Sequence, residues 1–143
     1  MPYSTTADLK ELLPESILIE LTDDEDAGAL NQARIDGAIS QADSVIDSHL
    51  GKRYFVPFQT APLILKKLSV DLAIYNLYSR RTESLPETRR QRYLDAIGTL
   101  EKISTGEIAL GAVPETESPS ASLSESNKTD GDNVFTRESL EGF

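Results

Sequence analysis

The stretch that decides the fold is Ile46-Asp47-Ser48-His49-Leu50-Gly51-Lys52-Arg53-Tyr54-Phe55-Val56-Pro57-Phe58. Up to Leu50 it has the spacing of an amphipathic helix, and Gly51 offers the left-handed backbone conformation that closes helices and that few other residues adopt cheaply. Tyr54, Phe55, Val56 and Phe58 then follow with almost no polar relief. In a strand, alternate side chains of this run would point to opposite faces, and Pro57 would suit an edge. The segment predicts a helical domain from which a short extended aromatic arm leaves, a docking element more than a catalytic loop.

Upstream of the arm, Ile35, Ala38, Ile39, Ala42, Val45, Ile46 and Leu50 recur at three- and four-residue steps, predicting a helix from about Asn31 to Leu50. Asp36, Ser40, Asp43, Ser44 and Asp47 take its other side, while Ala38 and Ala42 let a partner helix approach closely. Nearer the start, Thr6 is placed to cap a short helix through Leu13, which Pro14 interrupts. Ile17, Leu18, Ile19 and Leu21 form an apolar patch of undecided secondary structure. Thr22-Asp23-Asp24-Glu25 has capping-box spacing, though Gly28 weakens any helix beginning there.

Downstream, Pro62 opens a helix to about Arg81, as proline does in a first turn. Leu63, Ile64, Leu65, Leu68, Val70, Leu72, Ile74 and Leu77 leave it little polar face, so it is either buried centrally or shared with a neighbouring subunit. Ser84 and Glu87 make a second capping box for a helix to about Thr105, which buries Tyr93, Ala96, Ile97, Leu100 and Ile103 before Gly106 ends it. Four helices with short connections give a small antiparallel all-α domain over residues 1–112.

From residue 113 to 133 the composition changes: Ser118, Ser120, Ser122, Ser124 and Ser126 alternate with acids and prolines. Burial there cannot offset the entropy of ordering, which predicts a flexible linker. Residues 134–143 bring back large apolar groups and read as a docking segment anchored by Phe135, Leu140 and Phe143, with Arg137 for an acidic groove. Composition alone also fits a frayed terminus.

At 143 residues with 38% apolar content, the chain fits one domain with a modest core, and its net charge of −10 opposes nucleic-acid binding through the overall field. Without cysteine there is no disulfide, thiolate metal site or cysteine nucleophile. No apolar run approaches the ~20 residues a membrane span needs, and no basic-then-apolar leader opens the chain, so a soluble protein assembled in the cytoplasm is expected.

The chemistry is sparse. His49 is the sole histidine and reads as a packing or capping residue; Asp43 and Asp47 lie one turn apart on a helix with His49 pointing elsewhere. Asp23-Asp24-Glu25-Asp26 lacks the ligand pattern of a calcium loop and reads as a solvated acidic turn. No phosphate loop or zinc pattern is present, so no catalytic residue, cofactor or metal is assigned. Arg80, Arg81, Arg89, Arg90 and Arg92 form the one basic concentration. Arg80 and Arg81 suit the negative end of a helix, whereas Arg89 and Arg90 sit near a positive end where their charge gains nothing, so the cluster is a candidate contact for an acidic protein surface.

Taken in order, Tyr3, Asp8-Leu9, Leu21-Thr22-Asp23-Asp24, Ala38-Ile39, Ala42, the 46–58 stretch, Ala61-Pro62-Leu63, Asp71-Leu72-Ala73-Ile74-Tyr75, Arg80-Arg81, Arg92-Tyr93 and Gly106 resemble the small neck proteins of Mu-like tailed bacteriophages, the head–tail connector or portal-adaptor family. The resemblance covers roughly residues 3 to 110 and implies a homo-oligomeric ring, twelvefold, in the neck of the virion. Its partners would be the portal protein and the next neck or tail-terminator protein, with DNA only as passing channel content and no membrane. In that setting Arg53, Tyr54, Phe55 and Phe58 would form the intersubunit arm, and Phe135, Arg137, Leu140 and Phe143 the portal-docking tail. The competing expectation is a small helical regulatory module that binds protein or nucleic acid through Arg80 to Arg92.

Overall fold

A computed structural model of the chain describes residues 1–81 and 84–112, which among them form five helices and no strand. These are α1 (Thr6–Leu12), α2 (Glu15–Thr22), α3 (Gln32–Leu50), α4 (Leu63–Arg80) and α5 (Glu87–Thr105). The all-α class is as expected, and the undecided patch at residues 17–21 supplies a fifth helix. Pro14 explains both sides of that addition. Its ring forces Leu13 into extended backbone (φ −131, ψ 131), ending α1, and its carbonyl accepts the N–H groups of Ile17 and Leu18 at 3.0 and 3.2 Å to start α2.

The first cap is Thr5, one residue before the expected Thr6. Thr5 Oγ1 accepts the Asp8 N–H at 3.4 Å while an Asp8 carboxylate oxygen accepts the Thr5 N–H at 2.8 Å, a reciprocal pair that satisfies two free donors. Lys66 Nζ reaches the same carboxylate at 2.5 Å. Burial pushes the Asp8 carboxyl up, but the bonds from Lys66 and Thr5 outweigh it and hold the group below its ordinary value. A lowered folded value means stability that is present above the unfolded carboxylate range and lost as pH falls through the folded value. Asp8→Ala should therefore cost about 1 kcal/mol at neutral pH, and the gap from wild type should shrink below about pH 4. Denaturant titrations at pH 7 and pH 3 check this; an unchanged gap at pH 3 refutes it.

Two other expected caps differ. Thr22 does not begin a helix: it is the last residue of α2, donating Oγ1–H to the Leu18 carbonyl at 2.7 Å, and Asn31 caps α3 by accepting the Arg34 N–H at 3.2 Å. The acidic turn thus connects two helices, because a hydroxyl inside a helix is satisfied by the carbonyl one turn back. Ser84 does not cap α5; Pro86 holds that position, with no side-chain cap bond. Gly106 ends α5 in the left-handed conformation at φ +85, as expected.

The core lies where α4 runs through the middle of the other helices. Contacts from Ala38 to Asn76 and from Asp43 to Ser69 run in opposite senses along α3 and α4, and Tyr75 of α4 stacks on Tyr93 of α5 with centroids 4.0 Å apart. Leu65, Leu68, Leu72, Ile74 and Leu77 are buried against Ile35, Ile46, Leu50, Leu100 and Ile103, while α1 and α2 pack on α4 as well. Of the two readings of the apolar circumference of α4, central burial is the one realised, since its apolar side chains are spent inside the subunit. Leu63, in its first turn, is the exception at 84% exposed.

Candidate assembly site

The arm does not leave the domain as an extended run. Gly51 adopts the right-handed conformation (φ −61, ψ −12) and not the left-handed one expected of it. That conformation is open to any residue; a Cβ there would stand 3.0 Å from the Asp47 carbonyl oxygen, a tight contact. The chain then turns at once, with the N–H groups of Arg53 and Tyr54 both donating to the Leu50 carbonyl at 2.9 Å. Tyr54 becomes core at 2% exposed, and half-buried Phe58 packs on Tyr54 and on Tyr3 at centroid distances of 5.8 and 6.3 Å. Arg53 is folded against the end of α5, so close that a Cβ on Gly106 would lie 2.7 Å from Nη1. Gly106 is required for its positive φ, while the nearby guanidinium, the end of a flexible side chain, could shift to admit a Cβ. Of the four residues assigned to an intersubunit arm, Arg53, Tyr54 and Phe58 pack within their own subunit, and Phe55 alone is presented outward, at 69% exposed. Burying the two flanking rings is worth more to a small core than leaving them in water, which turns an apolar run into a single projecting phenyl group.

A polar network pins the arm from below. Tyr3 hydroxyl donates to Asp47 and accepts the Phe58 N–H at 3.1 Å, while Tyr3 N–H donates to Asp43 at 3.0 Å. Ser69 donates to the second Asp43 oxygen at 2.7 Å and meets Ser4 Oγ at 2.8 Å. Burial, then donation to Asp47, pushes the Tyr3 hydroxyl well above its ordinary value. Burial also pushes the Asp43 carboxyl up, despite bonds from Ser69 and Tyr3 that favour its charged form. Asp43 and Asp47 thus converge on Tyr3 and not on His49, whose Nδ1 lies 2.8 Å from the Val45 carbonyl. Sequence reasoning missed this role of Tyr3; an aromatic two residues ahead of a capping threonine was its one signal. Among the described residues no group of three or more His, Asp or Glu side chains is placed to hold a metal.

The basic concentration is largely consumed within the subunit. Arg80 and Arg81 bind Asp24 at 2.7 and 2.9 Å and the carbonyls of Leu21 and Asp23 at 3.1 and 2.9 Å; Arg34 adds a third contact to Asp24 at 3.1 Å. Arg89 reaches the Leu12 carbonyl at 3.3 Å and Arg92 the buried Asp71 at 3.5 Å. The acidic turn is solvent-exposed, as expected, and Asp24 within it also gathers three arginines. Partial burial opposes the charged form of Asp24, but the Arg80 and Arg81 bonds prevail and its carboxyl is held low. Asp23 is held low by the N–H of Ala27, with those of Gly28 and Glu25 assisting. Arg90 stays exposed and, among the described residues, has no ion pair. The expected contact cluster narrows to it because the α2–α3 turn lies beside the end of α4, a proximity no sequence spacing reveals. The tail residues Phe135, Arg137, Leu140 and Phe143 lie outside the described residues.

A family model described as Bacteriophage Mu, Gp36 matches residues 3–128. The chain is also 32% identical over 118 residues to the Mu-like prophage FluMu protein gp36 of Haemophilus influenzae, covering 82% of this chain and 81% of that protein. The match spans the N-terminal segment, all five helices and the arm.

Proposed function

Since this chain belongs to the bacteriophage Mu Gp36 family, we propose that it is a non-enzymatic structural protein of the virion neck. In this reading copies of the chain form a ring, twelvefold by the resemblance noted above, beneath the portal of a filled head. The ring extends the DNA channel and offers the surface on which the next neck or tail-terminator protein assembles. The observation that carries the proposal is the presentation of Phe55, an exposed phenyl group on a segment held by the buried Tyr54, the half-buried Phe58 and a tyrosine–carboxylate network. Exposed aromatics on rigid supports mark interaction sites, because little entropy is lost when they dock. An overall charge of −10 suits a channel wall past which DNA must slide without sticking. The tail carries Phe135, Leu140 and Phe143 as anchors for the portal.

The competing module reading draws its strength from Arg80 to Arg92, and four of those five arginines already serve the subunit's own acids and carbonyls. One experiment separates the two. The full-length protein, added to portal-bearing heads that lack it, should sediment with them and restore tail joining. It should leave duplex DNA unshifted at low salt. Failure to bind heads together with tight, salt-sensitive DNA binding would overturn the neck reading and favour the module.

A further inference from the structure

On the reading of this chain as a ring subunit, we propose where a neighbouring copy receives Phe55: the groove between α1 and the first half of α4. Its apolar walls are Leu12 and Leu63, 40% and 84% exposed, above a floor made by Val70. The groove encloses about 320 Å³, room for a phenyl ring, and Phe55 does not line it. One chain thus carries an apolar knob and an apolar receptor on different parts of its surface. A contact between unlike patches is heterologous, and when its rotation closes it generates a ring.

Charge selects a second copy as the occupant. In a chain of net charge −10, the segment from Gly51 to Pro62 holds two cations, Lys52 and Arg53, and no acid. Arg53 is turned inward against Gly106, whereas Lys52, three residues before Phe55 in the chain, stands exposed at a recess it shares with Ser48, His49 and Glu101. At the groove, Asp8 is paired with Lys66 and Asp71 with Lys67 and Arg92. Glu11 is the lining carboxylate with no ion pair of its own among the described residues, although its charge is felt by Lys66. Seating Phe55 between Leu12 and Leu63 brings Lys52 of one copy toward Glu11 of the next, which offsets locally the repulsion between two acidic subunits.

The test keeps the aromatic in place. Full-length protein carrying the photo-reactive residue p-benzoylphenylalanine at position 55 is irradiated under ring-forming conditions, after mixing isotopically light and heavy copies. The expected result is a ladder of covalent oligomers, with light–heavy adducts mapped to the neighbour's Leu12 or Leu63. Phe55→Ala and Leu63→Glu should each weaken association at least about tenfold. Lys52→Glu and Glu11→Lys should each weaken it, and the two combined should restore it. Rings without such a ladder, adducts within one copy, or adducts on other peptides would overturn this seat while leaving the ring intact. Absence of both rings and cross-links would overturn the ring reading along with it.

Discussion

Alanine at Tyr54 is expected to destabilise the subunit by about 3–4 kcal/mol, whereas alanine at the adjacent Phe55 should change folding by no more than about 0.5 kcal/mol and abolish assembly. The two side chains are neighbours in sequence and of similar size, yet one is 2% and the other 69% exposed. Removing the Tyr54 ring opens a cavity against Phe58 and the end of α3 that the surrounding helices cannot close without moving. For a domain of this size that loss lowers the melting temperature by roughly 10–20 °C, a large part of a typical stability. Removing the Phe55 ring deletes only solvent-facing surface from the isolated subunit. Thermal melts followed by circular dichroism read the first effect, and sedimentation with portal-bearing heads reads the second. Wild-type assembly of the Phe55→Ala protein would show that the projecting ring is not used.

Deleting residues 114–143 should leave a domain with unchanged helicity and melting that no longer joins portal-bearing heads. Among the described residues, Ile108, Leu110 and Ala112 are the last to pack on the helical core. What the deletion removes is a serine- and acid-rich segment, proposed above to be a linker, with Phe135, Leu140 and Phe143 toward its end. A flexible chain of about 20 residues has a root-mean-square reach on the order of 25 Å, enough to place those anchors on an adjoining protein. Ordering such a segment on a partner has an entropic cost, so the anchors must bury well. Phe135→Ser with Phe143→Ser in the full-length chain should reproduce the defect without the deletion. Heads that bind the truncated protein with full affinity would reduce the tail to a dispensable end.

Much of this architecture was legible in the chain itself. Periodic apolar residues placed α3 and α4 to within a residue at each end and α5 at its C-terminal end, because a helix that buries one side must repeat its apolar groups every three to four positions; the start of α5 lies two residues beyond the one expected from Ser84. Proline and glycine marked the breaks at Pro14 and Gly106, since each restricts or permits backbone angles regardless of context. Which hydroxyl caps a helix was less legible: Thr5 and Thr6, or Thr22 and Asn31, offer similar chemistry at adjacent or competing positions, and the choice rests on where the helix axis must point to bury its apolar side.

Tertiary structure alone decided the surface. From the sequence, Tyr54, Phe55 and Phe58 are equivalent aromatics in one run, and Arg80, Arg81 and Arg90 equivalent cations in one cluster. Folding brings Tyr3 under the arm and Asp24 beside the end of α4, partners 55 and 56 residues away respectively. Once those meetings occur, Tyr54 becomes core with Phe58 half-buried against it, and most of the arginines bind acids or carbonyls of their own subunit. Of the aromatic side chains in the arm, Phe55 is the one left exposed. A contact across that separation depends on how three helices pack, which no local pattern encodes; composition determines which residues seek burial, and packing geometry determines which of them obtain it.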